Sequence, residues 1–298
     1  MSTLLLVDGK NLLWRNAAVL NLSSGAELTG GVHGFMRCLM KVYEQYAGHV
    51  TICWDDWENG PAERKALYPD YKKRKPDEKR DQLVKEVLSQ QTTIFALLKS
   101  LGIRQTRAIG WEADDVMGTL ARKWPGEVVI YTGDRDLLQC VDEKRVAVLR
   151  PAKDGDAFYR ARDVEKEFGV SIKQFVDYKA LVGDVGDNIP GCEGIGPVAA
   201  KALLSKYGKV EHILACAFHD DWAKGSGLPQ RYADLLKVGH DSVLLSKKLA
   251  TINTHVELRH RRGELNHIAA KQLLREHQMV QLLTHFSQLS AMRWHDDA

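Results

Sequence analysis

The chain has 298 residues, with 42 Lys plus Arg against 39 Asp plus Glu, a formal charge of +3. At 44% hydrophobic and 27% charged it has an ordinary globular composition, which excludes a strongly basic tail protein or an acidic disordered one. The length suits one or two domains of about 100–200 residues each.

Taken in order, the first half alternates strand and helix signals. Thr3 to Val7 is a short apolar run closed by Asp8-Gly9. It is far too short to span a bilayer, and no basic leader or small-residue cleavage site precedes it, so neither a membrane anchor nor a signal peptide is expected. Val32 to Ala47 has helical periodicity. His49 to Trp54 reads as a strand ended by Asp55-Asp56. Asp81 to Leu101 predicts a long amphipathic helix stopped by Gly102, and Ile103 to Ile109 a short strand. A helix over Glu112 to Trp124 and strands over Glu127 to Thr132 and Arg145 to Leu149 complete the series. Such alternation predicts an α/β fold, a mostly parallel sheet with helices on both faces.

After a loop at Ala152 to Asp156 the sequence turns helical. Helices are expected over Asp163 to Phe168, Ile172 to Val182, Pro197 to Tyr207, Val210 to Phe218, Arg231 to Val238 and His267 to Leu289. The division into domains is read as 1–165 and 166–298. Five cysteines, odd in number and scattered, favour a reducing compartment without disulfides or structural zinc.

Charge is balanced overall but segregated locally. Tyr71 to Arg80 reads YKKRKPDEKR, while acids cluster at Glu112-Ala-Asp114-Asp115, Asp134-Arg-Asp136 and Asp184-Val-Gly-Asp187. Three strand signals end in an acid, at Asp8, Asp55 and Asp134. In an open parallel sheet, ligands bind at those carboxyl ends. Any one of these acids alone is explained by a turn or a helix cap. Three acids within four residues repel one another, which a cation among them relieves. Carboxylates without His or Cys suit Mg²⁺ or Mn²⁺. Two such ions about 3.5–4 Å apart clamp the attacking and leaving oxygens of phosphoryl transfer. No Walker A loop, dinucleotide fingerprint or nucleophile elbow occurs.

Residues 183–204 read GDVGDNIPGCEGIGPVAAKALL. Gly194 and Gly196 precede a helix starting near Pro197, so backbone N–H groups and a helix N-terminus face an anion together, with Lys201 and Lys206 near. Such contacts position a phosphodiester without reading bases. In the basic segment, cations interleaved with Tyr68 and Tyr71 suit a single strand, although a solvated loop explains a charge run equally.

The motifs LLVDGKNLLWR, ICWDD, LYPDYKKRK, EADDVMGTLA, YTGDRDLLQ and GDVGDNIPGCEGIGPVAAKALL, in this order, resemble the 5′-nuclease family. That family includes flap endonucleases, free-standing phage and bacterial 5′–3′ exonucleases, and the nuclease domain of bacterial DNA polymerase I. The resemblance runs from Leu4 to about Val238. It implies a PIN-like catalytic domain with a helical arch at about 60–81 and a helix-hairpin-helix DNA-binding motif at about 183–206. It implies metal ligands at Asp8, Asp55, Glu112, Asp114 and Asp115, and at Asp134, Asp136, Asp184 and Asp187. Asp55 is preferred to Asp56 because it directly follows the strand.

The resemblance also implies that Lys72, with Asp134 and Asp136, is catalytic and touches the scissile phosphate. Arg15, Arg64, Tyr71, Lys72, Arg74, Lys75, Gly194, Gly196 and Lys201 become the expected DNA contacts. Three positions depart from the family pattern: Lys75 where Arg is frequent, Glu63 where Phe is frequent, and Arg135 where Lys is usual. Lys and Arg are not equivalent at a bidentate phosphate contact.

The implied protein is a Mg²⁺-dependent 5′–3′ exonuclease and flap endonuclease of DNA replication and repair. Mn²⁺ would substitute, with room for K⁺ at the hairpin. It would act on 5′ flaps, on duplex with a 5′ single strand and on RNA primers, as a cytoplasmic monomer. Two alternatives stand beside it: a PIN-type ribonuclease, which would lack hairpin and arch, and a non-catalytic DNA-junction binding protein.

Overall fold

The computed structural model describes residues 3–19, 23–24, 27–46, 48–152, 155–218 and 227–292. Ala47, the end of the expected second helix, and Lys153 and Asp154 of the expected loop lie outside them. The first half contains β1 (Leu4–Asp8), α1 (Gly9–Ala17), a small antiparallel ribbon of β2 (Ser23–Ser24) and β3 (Glu27–Leu28), α2 (Gly30–Tyr46) and β4 (His49–Cys53). Then come α3 (Ala62–Leu67), α4 (Glu78–Ser100), β5 (Arg104–Arg107), α5 (Ala113–Lys123), β6 (Val128–Tyr131), a 3-10 turn at Asp136–Cys140, β7 (Val146–Arg150) and β8 (Ala157–Tyr159).

The main sheet has seven strands in the order β8-β7-β6-β1-β4-β5-β9. The five inner strands are parallel and both edge strands antiparallel. β1 explains the core. Its side chains alternate between faces, so a strand covered on both sides must be apolar throughout. Leu4 and Leu6 pack with α5 against the helical half of the chain, while Leu5 and Val7 pack with α1, α2 and α4.

The expected helices over the second half form as α6 (Ala161–Phe168), a 3-10 turn at Ile172–Gln174 leading into α7 (Phe175–Val182), α8 (Pro197–Tyr207), α9 (Val210–Phe218) and α10 (Gln230–Val238). α11 (His240–Ala250), which the sequence did not signal, packs on α7. The turn between α7 and α8 is built on glycine. Gly183 has φ +77° and Gly191 φ +68°. A Cβ on Gly183 would sit 2.6 Å from the Ile189 carbonyl, and one on Gly191 2.5 Å from the Gly183 nitrogen. Only glycine allows the chain to cross itself so closely.

Three expectations are corrected. The single helix over His267 to Leu289 is three: α12 (His267–Glu276), α13 (Val280–Thr284) and α14 (Phe286–Ala291), interrupted where Gln278 takes φ +53°. Residues 259–292, assigned with the helical half, instead return to the sheet half. There β9 (Arg259–Arg261) pairs with β5, and Ala270, Leu274, Leu282 and Leu289 join the core of α2 and α4. The segment 60–81 is helical only in α3 and the first turn of α4, because Pro69 and Pro76 break the run between them.

Candidate active site at the carboxyl edge of the sheet

Asp8 ends β1 and caps α1, one oxygen accepting from the Asn11 backbone N–H at 3.0 Å. The other accepts from the Thr132 hydroxyl at 2.8 Å, just past the end of β6. That hydroxyl accepts in turn from the Asp134 N–H, and Asp134 accepts from the Asp136 N–H at 2.8 Å. A single chain of hydrogen bonds therefore sets three of the expected acids in register. From β4, Asp55 accepts from the Ala113 N–H at the start of α5 and pairs with Lys10 at 2.6 Å. Asp56, by contrast, is spent on structure: its oxygens accept from the Gly110 N–H, the Asn59 amide and Arg107.

These acids disturb one another. Burial, then the charges of Asp55 and Asp134, push Asp8 up to about 7 despite its two hydrogen bonds. Burial, then Asp134 and Asp8, raise Asp114 well above the carboxylate range. Asp55 shows the opposite outcome. Burial works to raise it, but the Lys10 ammonium and the Ala113 N–H hold it below the usual value. Asp8 and Asp114 thus crowd each other, and only the more distant Lys72 ammonium works to lower Asp114.

Lys72 enters from the basic segment. Its left-handed backbone (φ +53°) donates to the Asp187 carbonyl at 2.9 Å, and its Nζ reaches Glu112 at 2.5 Å and Asp187 at 3.4 Å. The Asn188 amide donates to the Asp70 carbonyl, so the segment is tied to the hairpin of the helical half. Tyr71 is not the stacking residue expected: it is buried with Ile189, Leu249 and Ala250, and its hydroxyl donates to Glu112 at 2.8 Å. Arg64 is not free for a phosphate either. Its guanidinium grips both oxygens of Asp115 at 2.6 and 2.9 Å, approaches Glu112 at 3.1 Å and donates to the Leu249 and Thr251 carbonyls. Asp115 also accepts from the Glu112 and Asn253 N–H groups. Its expected role as a ligand gives way to that of the buried partner of Arg64.

The hairpin supplies the second group of acids. Asp184 accepts from the Gly186 N–H at 2.8 Å. Burial would raise it, but Lys179 and its own backbone bonds keep it low. Asp187 goes the other way: burial lifts it, and Lys72 only partly offsets this. Lys179, in α7, contacts Asp136 and Asp184 together. Sequence reasoning missed it; the signal available was a lone lysine in the apolar stretch FVDYKALV, five residues before Asp184.

The expected DNA contacts divide sharply. Arg15 is exposed in the last turn of α1, and Arg74 and Lys75 are exposed without ion pairs among the described residues. Gly194 takes φ +83° against Leu235, whereas a Cβ on Gly196 at the head of α8 would meet nothing within 4 Å. Space is thus left open in front of that helix. Lys201 lays its stem over Gly169.

No three His, Cys, Asp or Glu side chains among the described residues converge closely enough to hold a metal ion as they stand. The donor chemistry does fit a hard divalent cation. All the acceptors are carboxylates, and the raised Asp8 and Asp114 are the groups such a charge would relieve. Lys10, Lys72 and Lys179 now sit on the outer members of the set.

Comparison with known proteins agrees with this arrangement. Residues 3–169 match the 5′-3′ exonuclease N-terminal resolvase-like domain, and residues 170–273 the 5′-3′ exonuclease C-terminal SAM fold. A 5′-3′ exonuclease of Aquifex aeolicus is 35% identical over 293 residues, covering 95% of this chain and 94% of that protein. DNA polymerase I of Deinococcus radiodurans is 35% identical over 283 residues, 92% of this chain but 28% of its own length. The T5 5′-exonuclease, solved with bound zinc, superposes with a TM-score of 0.66 at 21% identity, covering 94% of this chain and 98% of that one. Human GEN1, in complex with Holliday junction DNA, gives 0.64 at 12% identity, covering 95% and 72%. A parallel sheet with acids at its carboxyl edge, joined to a helical hairpin, is therefore the frame of a 5′-3′ exonuclease. This chain belongs to the 5′-3′ exonuclease family.

Proposed function

We propose that this chain is a Mg²⁺-dependent flap endonuclease and 5′–3′ exonuclease that cuts DNA near single-strand/duplex junctions, with Mn²⁺ as a working substitute. The observation that carries this reading is the crowding of carboxylates at the end of the sheet, where Asp8 and Asp114 are both raised, in part by the charge of Asp134. A bound divalent pair would supply an activated water and neutralise the departing oxygen. Asp8, Asp55, Glu112, Asp114, Asp134, Asp136, Asp184 and Asp187 would hold that charge.

The chain's own part is positioning. The amides before α8 and the open space at Gly196 would seat a duplex phosphate, without base choice. Lys72, held by Asp187 and Glu112, would swing its ammonium onto the scissile phosphate. Arg15, Arg74 and Lys75 would draw in the 5′ single strand. A monomer in the cytoplasm, with K⁺ at the hairpin and activity on RNA primers, completes the proposal.

Cleavage of a 5′-flap substrate with Mg²⁺ and with EDTA tests it. A product released only with Mg²⁺ supports the reading. Binding without any cleavage would point to a junction-binding protein, and cutting confined to RNA would point to a PIN-type ribonuclease.

A further inference from the structure

Lys179 is buried in a helix whose neighbours Phe175, Ala180 and Leu181 already fill the core. An apolar residue would serve packing there as well, and at no desolvation cost. What the lysine adds is a charge at a particular point. Its ammonium contacts Asp136 and lies 3.0 Å from Asp184. Asp136 comes from the turn after β6 in the sheet half, whereas Asp184 opens the hairpin of the helical half. The two carboxylates are thus tied across the joint between the halves by one nitrogen.

The inner acids differ. No ammonium lies within ion-pair distance of Asp8, Asp114 or Asp134 among the described residues. Lys10 and Lys72 meet the first group only at its rim, on Asp55 and Glu112, whereas in the second group Lys179 takes both Asp136 and Asp184.

We propose that Lys179 is a resident counter-ion of the second carboxylate group, a positioning residue that keeps Asp136 and Asp184 together and that an incoming divalent cation must displace. This rests on the nuclease reading above. Two properties follow. The group around Asp8 and Asp114 takes a divalent ion more tightly than the group around Asp136 and Asp184. The second group also stays assembled without metal, because its repulsion is already offset.

The test is Mn²⁺ titration of the full DNA-free chain, with free ion counted by electron paramagnetic resonance and melting temperature followed in parallel. The wild type should show a tight class and a weak class. Lys179→Met should tighten the weak class by about tenfold or more, since a like charge has been removed beside it. It should also melt lower in EDTA and recover with Mn²⁺. Lys179→Gln, neutral but able to bond both carboxylates, should tighten the weak class in the same way if the Met variant does not fold. Lys179→Arg should leave the weak class weak. Unchanged constants in both neutral variants, or tightening in the arginine variant, would overturn the proposal. A wild type that binds no Mn²⁺ would instead sink the nuclease reading itself.

Discussion

The acid edge of the sheet and the basic segment at Tyr68 to Arg80 solve opposite problems. At the edge, Asp8, Asp55 and Asp134 are fixed by backbone donors and strand ends, so these side chains cannot spread to relieve their repulsion. In the basic segment Tyr71 and Lys72 are fixed by Glu112 and Asp187 and Lys73 pairs with Asp70, while Arg74 and Lys75 stand in solvent. The acids carry stored repulsion and little freedom; the cations carry freedom and little repulsion. A site that must hold metal needs the first arrangement, and a surface that must capture a moving strand needs the second.

The strongest way to break this contrast is inside α5, where Asp114 and Asp115 are neighbours with opposite surroundings. Asp114→Asn should abolish cleavage, by about 10³-fold or more, while relieving local repulsion and leaving the melting temperature equal or higher. Asp115→Asn should instead unfold the protein more easily, by about 3–5 kcal/mol, because it takes the two-oxygen partner from buried Arg64 and leaves only Glu112 and two carbonyls. Paired cleavage and urea-unfolding measurements decide it. If Asp115→Asn proved as stable as wild type, the structural role given to the Arg64 pair would be wrong.

Lys72→Ala should come next, lowering single-turnover cleavage by about 10²-fold with flap binding little changed. A rate near wild type would remove Lys72 from the reacting phosphate. Smaller again, Arg74→Ala and Lys75→Ala should each weaken flap binding a few-fold. Each should also flatten the salt dependence by roughly 0.7 in log–log slope, one phosphate's worth of a single strand. An unchanged slope would show that these cations do not meet DNA.

Much of this was legible in the sequence, and the failures have physical causes. Strand runs closed by Asp8, Asp55 and Asp134 announced the sheet edge, because inner parallel strands must be apolar on both faces. Asp115, Arg64 and Tyr71 were misread for one reason. A buried ion pair or hydroxyl bond joins residues about 40–50 positions apart, and the residue types that make it are those a phosphate or metal site uses. β9 was hidden as well. RHRR has no apolar alternation, since an exposed edge strand needs only backbone pairing with β5.

That edge strand offers the finest prediction. His260 pairs in register with Thr106, and its Nδ1 lies 3.0 Å from the Thr106 hydroxyl and 3.2 Å from the Arg104 Nε. Partial burial, then the charges of Arg104 and Lys123, depress it to about 4 from an ordinary value of about 6.5. Between those limits the unfolded chain takes up a proton that the folded chain refuses. The contribution is complete above about pH 6.5 and is lost as pH falls toward 4. The residue is still largely open to solvent, so the effect on stability is small. Melting curves of wild type and His260→Gln from pH 8 to 4.5 should diverge below 6.5, the variant losing less. Parallel curves would mean that Arg104 and Lys123 do not act on His260 in solution.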